Sequence, residues 1–139
     1  MKKQVLVLCT GNSCRSQIAE GYLRYFAGDN VEIRSAGIET HGVNPRAVAV
    51  MKEDGIDISH HVSSHVDEFR DIPFDYVITV CDHARESCPH FPTSARVFHH
   101  NFTDPAKAEG SEEEIMEIFR KVRDEIKEYG QNFTASYLT

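Results

Sequence analysis

Tryptophan is absent from this 139-residue chain, and no apolar run is long enough to cross a membrane. Positive charge is scarce: 15 lysines and arginines face 22 acids, for a formal net charge of −7. A nucleic-acid binder needs a basic face, so that class is not expected. Repeats, low-complexity tracts and interdomain linkers are also lacking, which leaves one domain over residues 1–139. Met-Lys-Lys and the apolar run behind it imitate a secretory leader. However, Thr10-Gly11-Asn12 interrupts the run at about half the usual length of such a segment. The expectation is a cytoplasmic monomer with no membrane partner. Cysteine is limited to positions 9, 14, 81 and 88. In a reducing compartment such cysteines are catalytic or metal-binding more often than structural staples.

What is present is organised around residues 4–16. Val5, Leu6, Val7 and Leu8 form a short apolar run suited to a strand buried on both faces. It stops at Cys9. Thr10, Gly11, Asn12, Ser13 and Cys14 then lead through Arg15 into a helical pattern beginning near Ser16. A strand, a tight polar loop and a helix N-terminus make an anion cradle, with loop amides pointing inward and the helix dipole adding positive potential. A Cys9 thiol facing those donors and Arg15 is expected to be a thiolate near neutral pH. Arg15 can grip two oxygens of a tetrahedral oxyanion at once, which Lys cannot. Ser16 can cap the helix or hydrogen-bond the thiolate. The bland reading, a small buried cysteine at a strand end, is outweighed by this setting.

Apolar spacing predicts a helix from Ser16 to Ala27, and alternation predicts a strand from Val31 to Ala36. Asn44 and Pro45 read as N-cap and first residue of a helix that Gly55 stops. A short helix is expected around Val66 to Arg70. A second buried strand, Asp75 to Val80, also ends at a cysteine, Cys81, and a shorter strand covers Arg96 to His99. Ser111 and Glu114 form a capping box for a last helix that Gly130 is expected to close, with residues 131–139 frayed. Alternating strands and helices imply an α/β, doubly wound parallel sheet, and right-handed crossovers give the strand order 2-1-3-4. The site then belongs at the carboxyl ends of strands 1 and 3, where the order reverses. Cys9 and Cys81 sit at those ends, on strands about 4.8 Å apart.

Cys81 and Cys88 would stand about 10 Å apart along a helix, so bonding them requires residues 82–88 to unwind. Two unrelated buried thiols are one alternative. Zinc held by Cys81, His83, Cys88 and His90 is another, although the spacing is not that of common zinc modules. A leaving oxygen needs a proton, and Asp104, stiffened by Pro105 in the loop before the last helix, is the best-placed acid, with Asp82 second. Cys14 is either a packed thiol or an oxidation partner for Cys9.

Residues 9–16, the Cys81/Cys88 pair and Asp104-Pro105-Ala106 together resemble the thioredoxin-coupled arsenate reductases, which share the fold of low-molecular-weight protein tyrosine phosphatases. Ser35-Ala36-Gly37-Ile38-Glu39 and Gly55-Ile56-Asp57-Ile58-Ser59 extend the match over nearly the whole chain. The cysteine pair separates the reductases from the phosphatases. So does Ala106, where phosphatases typically carry aromatic residues. The resemblance implies Cys9 as nucleophile, with Arg15 and the amides of residues 10–16 binding arsenate. It implies Asp104 as acid, and Cys81 and Cys88 as a relay passing through transient Cys9–Cys81 and then Cys81–Cys88 disulfides. Thioredoxin would be the reductant, with a glutathione/glutaredoxin system as the other route, and no cofactor would be bound. Some members hold a potassium ion through residues matching Asn12, Glu20, Ser35 and a later Asp, at whose position Ser64 stands. A phosphatase working through a phosphocysteine is the alternative function, and a zinc or redox-sensing module without turnover is a third.

Overall fold

The computed structural model describes residues 2–81 and 94–138. Four strands, β1 (Lys3–Leu8), β2 (Val31–Ala36), β3 (Tyr76–Thr79) and β4 (Arg96–His99), pair in parallel in the order β2-β1-β3-β4. The expected order follows from β1 lying in the centre, where Val5 to Leu8 are all fully buried. Leu8 pairs with Ala36 on one side and Thr79 on the other. The carboxyl ends of β1 and β3 are therefore level, and the chain leaving β1 opens into the fork between its neighbours.

Three helices, α1 (Arg15–Ala27), α2 (Pro45–Glu53) and α3 (Glu112–Phe133), share a core with one face of the sheet. The other face has a smaller core of Leu6, Leu8, Ala36, Val66, Phe74 and Val77. There the expected short helix is a 3₁₀ turn, Val66–Phe69, with the His65 ring accepting from the Asp67 amide. Local chemistry sets the other helix starts as expected. The Asn44 side chain accepts from the Arg46 amide with Pro45 following, and Ser111 and Glu114 exchange the two bonds of a capping box.

The end of α3 differs from the expectation. Gly130 does not stop it; the helix runs to Phe133 and continues as one π-type turn over Thr134–Leu138. Gly130 lies where α3 packs on α1, and a Cβ there would meet that of Tyr22 at an ordinary contact distance of 3.6 Å. The residues expected to fray are packed: Thr134 and Leu138 are buried, and the rings of Phe133 and Tyr137 lie against Phe98 and Tyr76. Among the described residues, no helix is long and apolar enough to cross a membrane.

Candidate active site

Residues 9–14 connect β1 to α1 and form the loop anticipated from sequence. Its shape follows from where its carbonyls go. Thr10 O accepts from the Glu39 amide, Gly11 O from His41 and Ser13 O from Asn44. Asn12 O accepts from the Ser63 hydroxyl and the Gln17 amide, and Cys14 O from the Ile18 amide. With every carbonyl from 10 to 14 engaged and each trans peptide setting its N–H opposite its C=O, the loop amides are the backbone donors left for an anion. Asn12 provides the left-handed residue the curl needs, at φ 48°. Gly37 provides the room. A Cβ there would lie 2.5 Å from Thr10 O and 2.9 Å from both Cys9 O and the Asn12 amide nitrogen.

The pocket is lined by Cys9, Thr10, Gly11, Ser13, Cys14, Arg15, Glu39, His41, Asp104, Ala106 and Lys107. Nucleophile, cation and acid candidates thus meet in one cavity. Arg15 is 3% exposed; its Nη1 donates to Phe102 O at 3.3 Å and its Nη2 lies 3.6 Å from Asp104 Oδ2. The other Asp104 oxygen accepts from the Ala106 amide, which fixes the carboxylate at the pocket rim. Ala106 gives that rim no ring to stack on a substrate.

Cys9 and Cys14 are both buried, and neither is in a disulfide. Burial, reinforced by the Asp104 charge, pushes the Cys14 thiol up to about 12, so it stays protonated at neutral pH. Ser16 is not the helix cap, since residue 14 holds that position without a side-chain bond. Its hydroxyl instead accepts from Asn12 Nδ2 at 2.8 Å behind the loop, which leaves its own proton to donate. Cys81 is fully buried and disulfide-bonded, one residue beyond the point where Val80 donates to Leu8 O. It lies on the strand beside Cys9, outside the pocket lining. Cys88, Asp82, His83 and His90 fall outside the described residues, so the relay partner, the second acid candidate and the zinc alternative lie there too. Among the described residues, no cluster of three His, Cys, Asp or Glu could hold a metal ion.

The loop is held from behind by Asn12, Glu20, Ser35 and Ser64, which only the family resemblance had grouped, and by Gln17 and Ser63, which no motif had marked. Gln17, fully buried, donates to Asn12 O, Asn12 Oδ1 and Val62 O. Asn12 Oδ1 also accepts from the Ser64 amide, and Asn12 Nδ2 donates to Ser35 Oγ at 2.9 Å. Ser35 in turn donates to Glu20 Oε1 at 2.6 Å. The residues expected around a potassium ion, Asn12, Glu20 and Ser35, are therefore together, but their oxygens are already engaged. Glu20 Oε2 accepts from Arg24 Nε at 2.9 Å, and Ser64 adds no carboxylate. This set does not fit a free cation as an added partner. The one signal that could have found the rear network was the row of small polar residues Ser63 and Ser64 in an otherwise weakly patterned stretch.

The model of the low molecular weight phosphotyrosine protein phosphatase family matches residues 4–138. An arsenate reductase of Halalkalibacterium halodurans is 53% identical over 125 residues, 90% of each chain. Among solved structures, an arsenate reductase in the phosphate-binding state matches at 33% identity and a TM-score of 0.77, over 100% of both chains. An arsenate reductase in the oxidised state matches at 32% and 0.77 over 98% of both. A thioredoxin-dependent arsenate reductase of Corynebacterium glutamicum matches at 30% and 0.66, over 97% of this chain and 63% of the other.

Proposed function

On the premise that the chain belongs to the low molecular weight phosphotyrosine protein phosphatase family, we propose that it reduces arsenate to arsenite by cysteine redox chemistry. The observation that carries the reading is the meeting of Cys9, Arg15 and Asp104 in one amide-lined pocket, with Cys81 at the end of the adjacent strand.

Arsenate, a tetrahedral oxyanion, sits against the inward amides of residues 10–16 and the Arg15 fork. The Cys9 thiolate attacks arsenic, an As–S bond forms, and one oxygen leaves as water on a proton from Asp104. Cys81 then attacks Cys9 Sγ. The S–S bond forms as the As–S bond breaks, its electron pair goes to arsenic, and arsenic leaves reduced from As(V) to As(III). Cys88 attacks Cys81, freeing Cys9 and leaving a Cys81–Cys88 disulfide, which a thioredoxin dithiol reduces. Two thiols thus supply the two electrons, and thioredoxin restores them. The oxidised end of this cycle is supported by Cys81 being disulfide-bonded while Cys9 and Cys14 lie outside any disulfide. A thiol-reducing compartment, the cytoplasm, is where such a cycle can run.

Arsenite formation with thioredoxin and its reductase, set against glutathione and glutaredoxin, tests this reading. Multiple turnovers are expected with thioredoxin. Turnover with glutaredoxin alone would overturn the choice of reductant, and no arsenite with either would overturn the function. The first half-reaction is shared with phosphate esters, so slow hydrolysis of a small aryl phosphate is expected alongside.

A further inference from the structure

Behind the anion loop lies a single buried carboxylate with two cationic candidates beside it. Glu20, 8% exposed, receives the Ser35 hydroxyl on Oε1. On Oε2 it receives Arg24 Nε at 2.9 Å, and the His61 Nδ1 lies 3.6 Å away. The His61 ring is committed elsewhere. Its Nδ1 faces Gln17 Oε1 at 3.0 Å, and an amide oxygen only accepts, so that nitrogen carries a proton. Burial pushes this imidazole's pKa down, which favours the neutral form. Arg24 is fixed differently: its Nη2 donates to Ile33 O at 2.7 Å, anchoring the guanidinium to β2 while Nε meets the carboxylate. The contacts close into a circuit from Arg24 through Glu20, Ser35 and Asn12 to Gln17 and His61, and Asn12 is the left-handed residue of the loop itself.

We propose that Arg24 is a positioning residue, the built-in counter-cation that pairs with the buried Glu20 carboxylate and so holds Asn12 and the anion loop in place without a monovalent metal ion. A carboxylate left without that partner would be costly to bury. Its displacement reaches Asn12 through one serine. With Arg24 removed, Glu20 is left as an oxygen donor beside the Ser35 hydroxyl, a hard-ligand pair whose charge an alkali cation can neutralise. The inference rests on the loop binding oxyanions, as proposed above, and is independent of the disulfide relay.

The test is phosphate binding to the reduced protein by calorimetry, in potassium, sodium and choline chloride at equal ionic strength. Wild-type affinity should be the same in all three salts. Arg24→Gln should lose affinity on the order of tenfold in choline, the scale of one hydrogen bond to a charged group, and recover it in potassium or sodium. Arg24→Lys should behave as wild type. Arg34→Gln should change nothing, since Arg34 lines the same cavity but bonds Gln4 instead. If Arg24→Gln does not fold, the double variant Glu20→Gln/Arg24→Gln, which removes both charges, should fold and bind phosphate equally in every salt. Wild-type affinity that climbs with potassium would overturn the proposal. So would an Arg24→Gln variant indifferent to its loss, or one that no cation restores. Loss of arsenate reduction with phosphate binding intact would instead count against the redox reading alone.

Discussion

The front and the back of the anion loop are built from different materials. The front is backbone: amides left as donors because the loop carbonyls are occupied by residues 39, 41, 44, 63 and 18, with one arginine and one aspartate at the rim. The back is mostly side chain: Asn12, Gln17, Ser35 and Glu20, all buried and hydrogen-bonded to one another or to the loop, with the Ser64 backbone amide donating to Asn12 Oδ1. A front made of amides binds any tetrahedral oxyanion and says little about which reaction follows. A back made of interlocked side chains decides only whether the front keeps its shape. Chemistry should therefore fail when the front is cut, and geometry and stability when the back is cut.

The largest effect is expected at the front. Asp104→Asn should slow adduct formation from arsenate by about 10²–10⁴, the usual contribution of a general acid, while iodoacetamide still labels Cys9 at the wild-type rate. Near-normal arsenate reduction in single-turnover assays would move the acid elsewhere. Next comes the contact between front and strand. Gly37→Ala places a Cβ 2.5 Å from Thr10 O, so the loop must shift. A misplacement of about 1 Å costs on the order of 10² in rate, and phosphate affinity should drop with it.

At the back, Gln17→Ala removes donors to Asn12 O, Asn12 Oδ1 and Val62 O and should cost about 1–3 kcal/mol of stability by thermal melt. The same region sets an acid limit. Burial holds the His61 pKa below the ordinary value of 6.5, so in that window the unfolded chain binds more protons than the folded one. Stability should decline as pH falls below about 6.5, and a His61→Gln variant should show a flatter profile there. The smallest effect is at Cys14, whose thiol stays protonated because burial raises it to about 12. At about pH 8 alkylation should mark Cys9 and spare Cys14 in the folded protein, and Cys14→Ser should barely alter turnover.

This contrast also explains what could be read in the chain beforehand. Cys9, Arg15 and the strand order were legible because local pattern dictates them: a buried apolar run, a polar loop, a helix start and right-handed crossovers. Asp104 was found by the place its loop must occupy. In the rear clamp, Asn12, Glu20, Ser35 and Ser64 were grouped only through the family resemblance, and Gln17 was not found, because it reaches Val62 across 45 residues. Such pairings are products of packing, and no spacing rule announces them. Gly37 shows its role only in three dimensions, where it lets two backbones touch. Gly130 was expected to close the last helix, although Tyr129, Phe133 and Tyr137 recur every four residues and carry the aromatic stripe past it.

The proposed relay requires that Cys9 and Cys81 suffice to release arsenite and that Cys88 serve only to free Cys9. Peptide mapping of Cys88→Ser after a single addition of arsenate, with arsenite measured in the same sample, addresses it directly. One equivalent of arsenite and a trapped Cys9–Cys81 disulfide are predicted, with Cys81→Ser releasing no arsenite. Sustained multiple turnover of Cys88→Ser with thioredoxin, or the absence of any arsenate-dependent disulfide, would contradict it.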